Sequence, residues 1–304
     1  MQAVVIQETG GPEVLTLQET PRPQPHEGEV LIRVLAAAVN PVDWKIRRGM
    51  MPRELPAVLG SDISGVVEQA LAPGFAEGDE VFGFAASGGY AEFACAPAGA
   101  IAKRPQALSD EQAAALPVAG LTAWQALFDR GELERGQSVL IAGAAGGVGH
   151  LAVQFAKIAG AEVIGTGSAR NRDYVLGLGA DGYLDYTSED VAGLGRQVDL
   201  VFDTVGGETT ASLLGAVRDG GAFVTIAGPP PAQEAAGRGV RTEMLIMSRN
   251  AEQLAEIARL VAGGEVHVEI AEVLPLSEVR RAHEASEAGH TRGKIVLTVG
   301  EPAR

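Results

Sequence analysis

The sequence predicts an α/β protein in which a doubly wound parallel sheet domain is inserted into a β-rich domain. Residues 1–100 contain short strand-like runs separated by Gly and Pro clusters, with no long helical pattern between them. From Ser138 onward, buried strands alternate with helical segments, which is typical of a parallel sheet. Residues 294–299 have strand character again, so we expect the chain to end by returning to its first domain.

Length, charge and cysteine content limit the classes of function. A chain of 304 residues is long for one core, which favours two domains. The formal net charge of −15 would repel phosphate groups, which argues against a nucleic-acid or membrane partner. Cys95 is the only cysteine, which excludes an internal disulfide. With no secretion signal visible, these observations predict a cytoplasmic protein.

The β-rich domain is predicted from runs of strand-forming residues bounded by turns. These runs are residues 3–7, 15–19, 30–39, 63–69, 80–84 and 90–94. Strands that follow one another without long helices favour a barrel or a sandwich. A helix is expected after Ser109, because Ser109 and Gln112 have the spacing of a capping box.

The α/β domain is predicted from five buried runs with helical segments between them. These strands are residues 139–142, 162–166, 182–186, 199–203 and 222–226. Residues 228–239, rich in Pro and Gly, are expected to form a loop. Residues 250–262 are expected to form a helix that ends at Gly263, because their apolar residues recur at helical spacing.

A run of small residues after the first of these strands has the form Ala144-x-Gly146-x-x-Gly149. Between a strand and a helix, such a run allows a sharp turn and a close approach to a pyrophosphate. The helix-start residues Gly146, Gly147 and Val148 are the predicted anion contacts. The pattern therefore indicates a dinucleotide site. The alternative is a glycine-rich packing turn that binds nothing.

The end of the next strand indicates which dinucleotide binds. An NAD site usually has an acidic residue there for the ribose hydroxyls, and this sequence has none. Ser168 and Arg170 instead offer a hydroxyl and a guanidinium, which suit a 2′-phosphate. Tyr186, after the third strand, is a candidate contact near the adenine. We therefore predict NADPH, although a solvated loop charge is the alternative role for Arg170.

Motifs along nearly the whole chain resemble the medium-chain dehydrogenase/reductase superfamily and, within it, the zinc-free quinone oxidoreductase (zeta-crystallin-like) branch. The motifs are AAAVNPVDWKIRRG (36–49), LGSDISGVVE (59–68), GDEVFGF (78–84), GGYAEF (88–93), LPVAGLTAWQAL (116–127), IAGAAGGVG (141–149), VFDTVGG (201–207) and TRGKIVL (291–297).

The resemblance implies a GroES-like barrel domain from residues 1–117 and 265–304 and a Rossmann domain from residues 118–264. It also implies that the cofactor lies in the cleft between the two domains, and that the protein is a homodimer.

The resemblance also implies that no zinc is bound. Alcohol dehydrogenases of this superfamily hold a catalytic zinc with Cys, His and Cys, and the matching positions here are Asn40, Ser61 and Val118. None of these is a usable zinc ligand. The five histidines are expected to be surface residues and not ligands. They are His26, His150, His267, His283 and His290.

A site without zinc cannot polarise an alcohol oxygen as a Lewis acid, which favours quinones and carbonyl-activated C=C bonds as hydride acceptors. By resemblance, Asn40 is expected to point at the nicotinamide or the substrate. Lys45 is either a donor to the developing oxyanion or a surface lysine on a short helix. Asp43 is expected to anchor this loop. A tyrosine-assisted mechanism is in doubt, because no tyrosine lies between Asn40 and Tyr90.

Further cofactor contacts are implied by the resemblance at positions that match the family. They are Thr122, Thr204, Val205, Ala227 and Gly228. The sequence thus predicts an NADPH-dependent reductase of quinones or α,β-unsaturated carbonyls. The alternatives are an NADPH-binding sensor or structural protein without turnover and, with less support, an alcohol dehydrogenase.

Overall fold

The computed structural model describes residues 1–300, and for Ala192 only the backbone. The chain forms two compact units. The first contains Met1–Val118, Arg249–Gly264 and the residues from Val268 onward, and the second contains Ala119–Ser248 and Glu265–His267. Residues 301–304, which the sequence assigns to the barrel domain, lie outside the described residues. The predicted α/β class, with a β-rich domain and a parallel Rossmann sheet, is confirmed.

The strands follow one another along the chain as listed here. They are β1 (Gln2–Ile6), β2 (Thr16–Glu19), β3 (Glu29–Val39), β4 (Ala57–Val58), β5 (Asp62–Ala70), β6 (Glu80–Phe84), β7 (Phe93–Pro97), β8 (Ile101–Lys103), β9 (Ser138–Ala142), β10 (Glu162–Gly167), β11 (Gly182–Asp185), β12 (Val198–Asp203), β13 (Val217–Thr225), β14 (Arg241–Met244), β15 (Ile270–Pro275) and β16 (Lys294–Thr298).

The α-helices are mostly short. They are α1 (Pro41–Arg47), α2 (Asp110–Ala114), α3 (Pro117–Trp124), α4 (Gly149–Ile158), α5 (Arg172–Gly177), α6 (Thr210–Ala216), α7 (Ala232–Ala236), α8 (Ala251–Ala262) and α9 (Val279–Glu287). The predicted capping box is confirmed, since Ser109 Oγ accepts from the Gln112 N–H and the Gln112 side chain accepts from the Ser109 N–H.

The first unit contains a three-stranded sheet in the order β2-β1-β4 and a seven-stranded sheet. The larger sheet has the order β15-β16-β3-β5-β6-β8, and β7 pairs with β3. The 11-residue strand β3 pairs with strands on both sides. Most of its residues are apolar and buried, so it contributes to the core of this unit. Antiparallel pairing of β16 with β3 sets Ile295 opposite Val39 and brings the C-terminal strand beside the start of α1.

The second unit contains a six-stranded parallel sheet in the order β11-β10-β9-β12-β13-β14. Numbered within the unit, this order is 3-2-1-4-5-6, the order of dinucleotide-binding sheets. The order reverses at β9, so the turn after β9 lies at the switch point where such sheets bind ligands.

The structure differs from the prediction in several elements. Strand β13 begins at Val217, five residues before the predicted strand 222–226, and four further strands were not predicted: β4, β8, β14 and β15. The predicted strand 90–94 begins at Phe93, because the residues before it contact β1 instead: Tyr90 O accepts from the Val4 N–H, and Ala91 forms an isolated bridge with Ala3. The predicted loop 228–239 contains helix α7. Helix α8, which the prediction assigns to the Rossmann domain, groups with the first unit, since it packs against β8.

No helix within residues 1–300 is long and apolar enough to cross a membrane.

Candidate active site

The turn after β9 is shaped by three small residues. Gly143 has φ +73°, a left-handed conformation that favours glycine. The Ala144 N–H donates to Thr166 O at 2.9 Å, which ties the turn to β10. A Cβ on Gly149 would overlap the Gly143 carbonyl oxygen and lie 2.8 Å from Ala144 Cα, so helix α4 can start this close to β9 only with glycine there. These contacts match the roles expected of a dinucleotide-binding turn.

Helix α4 begins at Gly149, directly after the predicted contacts Gly146, Gly147 and Val148. The first N–H groups of a helix have no partner within the helix, so they can donate to an anion. The Gly146 N–H is already used, because it donates to Gly143 O at 2.9 Å. The N–H groups of Gly147 and Val148 are therefore the better candidates for a pyrophosphate.

The ends of β10 and β11 bring Ser168 and Tyr186 together. The Tyr186 N–H donates to Gly167 O at 3.2 Å, and the Tyr183 hydroxyl donates to Ser168 O at 2.7 Å. Arg170 is exposed two residues beyond Ser168. The predicted 2′-phosphate residues thus lie on one short segment beside Tyr186.

Tyr186 lines a cavity of about 400 Å³ with Thr187, Glu189, Glu208 and Thr209 among its neighbours. The tyrosine is 54% exposed. The carboxylates of Glu189 and Glu208 give this cavity an acidic side. A phosphate group would be disfavoured beside these carboxylates, whereas the Arg170 guanidinium on the neighbouring segment would attract it.

Asp203, at the end of β12, organises the loop that follows it. Its Oδ1 accepts from the N–H groups of Val205 at 2.9 Å and Gly206 at 2.8 Å. The Thr204 hydroxyl donates to Ala142 O at 2.6 Å, which fixes the loop against the end of β9. Thr204 and Val205, two candidate cofactor contacts predicted from the sequence, therefore lie beside the dinucleotide-binding turn.

The loop after β13 contacts the same region. A Cβ on Gly206 would lie 2.8 Å from Ala227 O, so the two loops touch and glycine is required between them. Gly228 follows Ala227 on this loop. Thr122 is placed differently, because it is buried on α3 and does not follow a strand of the sheet.

In the first unit, a buried polar network surrounds Asn40. The Asn40 Nδ2 donates to Asp62 Oδ2 at 2.9 Å. The Lys294 ammonium donates to Asn40 Oδ1 and, at 3.2 Å, to Val39 O. Asn40, Asp62 and Lys294 are exposed by 2%, 0% and 4%, so the network is almost fully removed from water.

Asp62 also accepts hydrogen bonds from Ser61 and Val118, the other two positions that match zinc ligands in related dehydrogenases. Its Oδ1 accepts from the Ser61 hydroxyl at 2.9 Å, and its Oδ2 accepts from the Val118 N–H at 3.0 Å. Amide, hydroxyl and backbone N–H groups that donate to a carboxylate do not fit a zinc site. Within residues 1–300, no group of three His, Cys, Asp or Glu residues could hold a metal ion.

Burial and mutual attraction oppose each other in this network. Burial raises the pKa of Asp62, and the nearby Lys294 ammonium partly counters that rise. Burial lowers the pKa of Lys294, and the charges of Asp62 and Asp43 partly counter that fall. The Lys294 ammonium therefore stabilises both carboxylates, whereas the Asp43 and Asp62 carboxylates repel each other.

Asp43 anchors the start of α1, as predicted. Its Oδ2 accepts from the Asn40 N–H and from the Tyr90 hydroxyl, both at 2.8 Å. Burial raises the pKa of Asp43 to about 6. Tyr90 is distant in sequence, yet it reaches this loop and is committed to Asp43.

Lys45 lies outside this network. It is half-buried on α1, with its ammonium 5.7 Å from the centroid of the Trp44 ring. The cation on Asn40 is thus supplied by Lys294, and the role of Lys45 stays a prediction.

The expectation that the histidines lie on the surface is wrong for two of them. His150 and His283 are fully buried. His150 Nδ1 lies 2.9 Å from Gly146 O, and His283 packs edge-on against Tyr90. His150 lies on the buried face of α4, and His283 lies on the buried face of α9.

Comparison with known proteins agrees with this geometry. Residues 26–106 match the alcohol dehydrogenase GroES-like domain, and residues 178–297 match the zinc-binding dehydrogenases. The chain is 35% identical to the quinone oxidoreductase of Mus musculus, covering 98% of this chain and 97% of that protein. It is 34% identical to the NADPH-dependent alkenal/one oxidoreductase of Arabidopsis thaliana, over 98% and 79% of the two chains.

The chain belongs to the medium-chain dehydrogenase/reductase superfamily, in its quinone oxidoreductase branch. It is therefore an oxidoreductase. The solved quinone oxidoreductase of Coxiella burnetii overlays with a TM-score of 0.94 at 37% identity, over 99% of both chains. A solved NAD-dependent alcohol dehydrogenase also overlays, with a TM-score of 0.91 at 33% identity, over 99% of this chain and 100% of that one. Overall fold within this superfamily thus does not separate the cofactors or substrates.

Sequence reasoning missed four residues of this oxidoreductase: Asp62, Tyr90, Asp203 and Lys294. Asp62, Asp203 and Lys294 lie inside the motifs LGSDISG, VFDTVGG and TRGKIVL. For Asp62 and Asp203 the available signal was a charged residue within an otherwise apolar or small motif, because a charge is rarely buried without a partner.

Proposed function

We propose that the protein is a zinc-independent reductase that transfers hydride from NADPH to a quinone or to an α,β-unsaturated carbonyl. The convergence of Asn40, Ser61 and Val118 on Asp62 carries this proposal, because it puts hydrogen-bonding groups where related alcohol dehydrogenases hold a metal. Acceptors that take up hydride without a Lewis acid suit such a site. The names of the mouse and Arabidopsis relatives support the same substrate classes.

Residues of the second unit fit the dinucleotide. Gly147 and Val148, with Gly146, are proposed to hold the pyrophosphate at the start of α4. When bound, NADPH supplies a hydride from C4 of its nicotinamide. The two loops beside the turn, together with Thr122 on α3, are proposed to contact the nicotinamide half. The proposed contact residues are Thr122, Thr204, Val205, Ala227 and Gly228.

The choice of NADPH over NADH rests on the end of β10. Ser168 and Arg170 are proposed to bind the 2′-phosphate, and Tyr186 is proposed to contact the adenine. The segment from Gly167 to Asn171 carries no carboxylate to accept from a ribose hydroxyl. The acidic side of the neighbouring cavity would repel the phosphate, whereas the Arg170 guanidinium would attract it.

Asn40 and Lys45 are the proposed groups of the first unit that meet the reacting atoms. Reduction builds negative charge on the substrate oxygen, and an amide N–H of Asn40 is suited to donate to it. Lys45 is proposed to supply a proton, directly or through water, to the reduced product.

The Lys45→Ala variant tests that role. We expect a lower kcat with the affinity for NADPH retained, because Lys45 is remote in sequence from the predicted phosphate contacts. Steady-state kinetics and NADPH fluorescence titration measure the two quantities. An unchanged kcat would return Lys45 to the role of a partly solvated lysine on α1.

The proposed reaction is tested by NADPH consumption with chelator-treated protein. The acceptors are a panel of ortho-quinones, para-quinones, enones, aldehydes and alcohols (the last with NADP⁺), and NADH is run in parallel. We expect NADPH-dependent turnover with quinones or enones and none with alcohols. Tight NADPH binding without turnover on any acceptor would indicate a sensor. Loss of turnover on chelation, restored by zinc, would indicate a metal-dependent dehydrogenase.

A homodimer in the cytoplasm completes the proposal. Strand β14 is an edge of the six-stranded sheet, and Met244 and Ile246 at its end are exposed by 51% and 82%. An edge of this kind favours pairing with a second copy. The single, buried Cys95 supports a reducing compartment.

A further inference from the structure

The side-chain amide of Asn40 is held at both of its polar atoms. Its Nδ2 donates to Asp62, and its Oδ1 accepts from Lys294. The amide therefore lies between a buried anion and a buried cation, each on a different strand. This arrangement fixes which end of the amide is nitrogen, because the reversed amide would set an N–H against the Lys294 ammonium and an oxygen against the Asp62 carboxylate.

A cation on the carbonyl oxygen changes the donor strength of the amide. The ammonium draws electron density toward Oδ1, which makes the Nδ2 hydrogens more positive, and hydrogen bonds in such a chain strengthen one another. Burial of all three side chains keeps water from weakening the effect. Nδ2 carries two hydrogens, and within residues 1–300 it makes one bond, to Asp62. The second hydrogen is left for a ligand.

We propose that Lys294 and Asp62 are positioning residues that act through Asn40: Lys294 polarises the amide and Asp62 orients it, so that its second N–H is a strong donor to the substrate oxygen on which charge develops. This inference rests on the proposed function, in which Asn40 meets the reacting atoms. In this proposal the Lys294 ammonium acts on the substrate oxygen through the Asn40 amide, and it supplies the positive charge that a metal ion supplies in related dehydrogenases.

The backbone explains why Lys294 has this position. Pairing of Ile295 with Val39 places residue 294 beside the junction of β3 and α1, and the ammonium also donates to Val39 O. The cation is thus fixed by a sheet register. Lys45 lies on the following helix, next to the Trp44 ring, and has no such bond to Asn40 among the described residues.

Selective labelling tests the polarisation without any turnover. The chain has three asparagines, at positions 40, 171 and 250, so ¹⁵N-asparagine labelling yields three side-chain amide groups, each with a pair of ¹H signals. In Lys294→Met we expect the Asn40 side-chain amide signal to shift upfield in ¹H, because its carbonyl oxygen loses a cation. Lys294→Arg should keep it near its original position. Asn171 and Asn250 serve as internal controls for the fold.

Kinetics test the consequence for catalysis. We expect Lys294→Met to lower kcat with the better quinone or enone acceptor by about tenfold or more, with KM for NADPH within twofold. Lys294→Arg should recover most of the loss. In an Asn40→Ala background, Lys294→Met should have little further effect, because both changes remove the same interaction. Lys103→Met, at an exposed lysine of the same unit, is the matched control.

The outcomes separate this inference from the proposed function. Absence of turnover by the unaltered protein would refute the proposed function alone, and the amide signals would still report on the network. An unmoved Asn40 signal in Lys294→Met, or equal kinetic losses in the presence and absence of Asn40, would overturn the inference. If Lys294→Met does not fold, Asp62→Asn is compared in the same way, since it removes the charge and keeps an acceptor for Asn40.

Discussion

Arg170 lies on an exposed segment two residues after Ser168, where the predicted 2′-phosphate would bind. We expect Arg170→Ala to weaken NADPH binding by about 1–3 kcal/mol, the value of a lost charge-assisted hydrogen bond. NADH binding should change little, because NADH lacks the phosphate. Isothermal titration of both cofactors measures this difference. Arg196→Ala, at an exposed arginine remote in sequence, is the control. An equal loss for both cofactors would refute the phosphate assignment.

His283 gives the protein a defined sensitivity to acid. Burial, with the nearby Arg47 guanidinium, lowers its pKa from 6.5 to about 3. Below about pH 6.5 the unfolded chain therefore binds a proton that the native state does not. Stability conferred by the neutral ring is fully present above pH 6.5 and falls, by at most about 1.4 kcal/mol per pH unit, as the pH drops toward 3.

The His283→Phe variant should remove this contribution, while keeping a ring against Tyr90. Urea unfolding between pH 7 and 4.5 should show a shallower loss of stability in the variant. The exposed His26 of the same unit provides the control variant His26→Phe, which should keep the original pH dependence. Parallel curves for the unaltered protein and His283→Phe would contradict the prediction.

At this scale the sequence predicts what is local. Gly146 to Gly149, Ser168 and Arg170 were assigned correctly to strand ends because each lies within a few residues of the strand that positions it. The contacts of Asp62 and Lys294 with Asn40 could not be predicted in this way, since the three residues meet only through the pairing of β16 and β5 with β3. No periodicity or spacing carries that information.

The junction of β9 and α4 shows how an element depends on one glycine. In Gly149→Ala the added Cβ would overlap the Gly143 carbonyl oxygen, so the start of α4 must move away from the strand. We expect a loss of about 1–3 kcal/mol in the free energy of unfolding and weaker NADPH binding. Chemical denaturation and NADPH titration measure the two effects.

Gly215→Ala is the matched control for this change. Gly215 also lies on a helix of the second unit, α6, and a Cβ there meets nothing within 4 Å. Its stability should equal or slightly exceed that of the unaltered protein, because alanine favours a helix. A Gly149→Ala variant as stable and as tightly bound to NADPH as Gly215→Ala would contradict the argument.

Most strands were predicted within one or two residues because buried runs bounded by Gly and Pro are strong signals. Short elements were harder. Helix α7 is five residues long and follows three prolines, so its composition is that of a loop. The bounds of helix α8 agree with the prediction, but the helix groups with the first unit and not with the predicted Rossmann domain. An amphipathic pattern specifies a buried face and not the partner that buries it.

At the scale of the whole molecule, the edge strand β14 makes the oligomeric state testable. We expect light scattering to give a mass near twice 31.4 kDa. Ile246→Asp should shift the protein toward the monomer, because it places a charge at an exposed apolar position beside that edge. Ile158→Asp alters another exposed apolar residue, 47% exposed on α4, and should leave the mass unchanged. A monomeric mass for the unaltered protein would refute the dimer.

The arrangement around Asp62 also bears on protein engineering. Introducing Cys, His and Cys at positions 40, 61 and 118 would remove the Asn40 amide and the Ser61 hydroxyl from Asp62, leaving a buried carboxylate with one backbone donor. The Asp62 charge would then stay buried with fewer hydrogen bonds before any metal binds, and the Lys294 ammonium would keep only its bond to Val39 O. A conversion to a zinc enzyme would therefore have to redesign five positions together. Changes at positions 40 and 61 are expected to destabilise the protein, whereas a change at position 118 keeps the bond to Asp62, because the donor there is the backbone N–H.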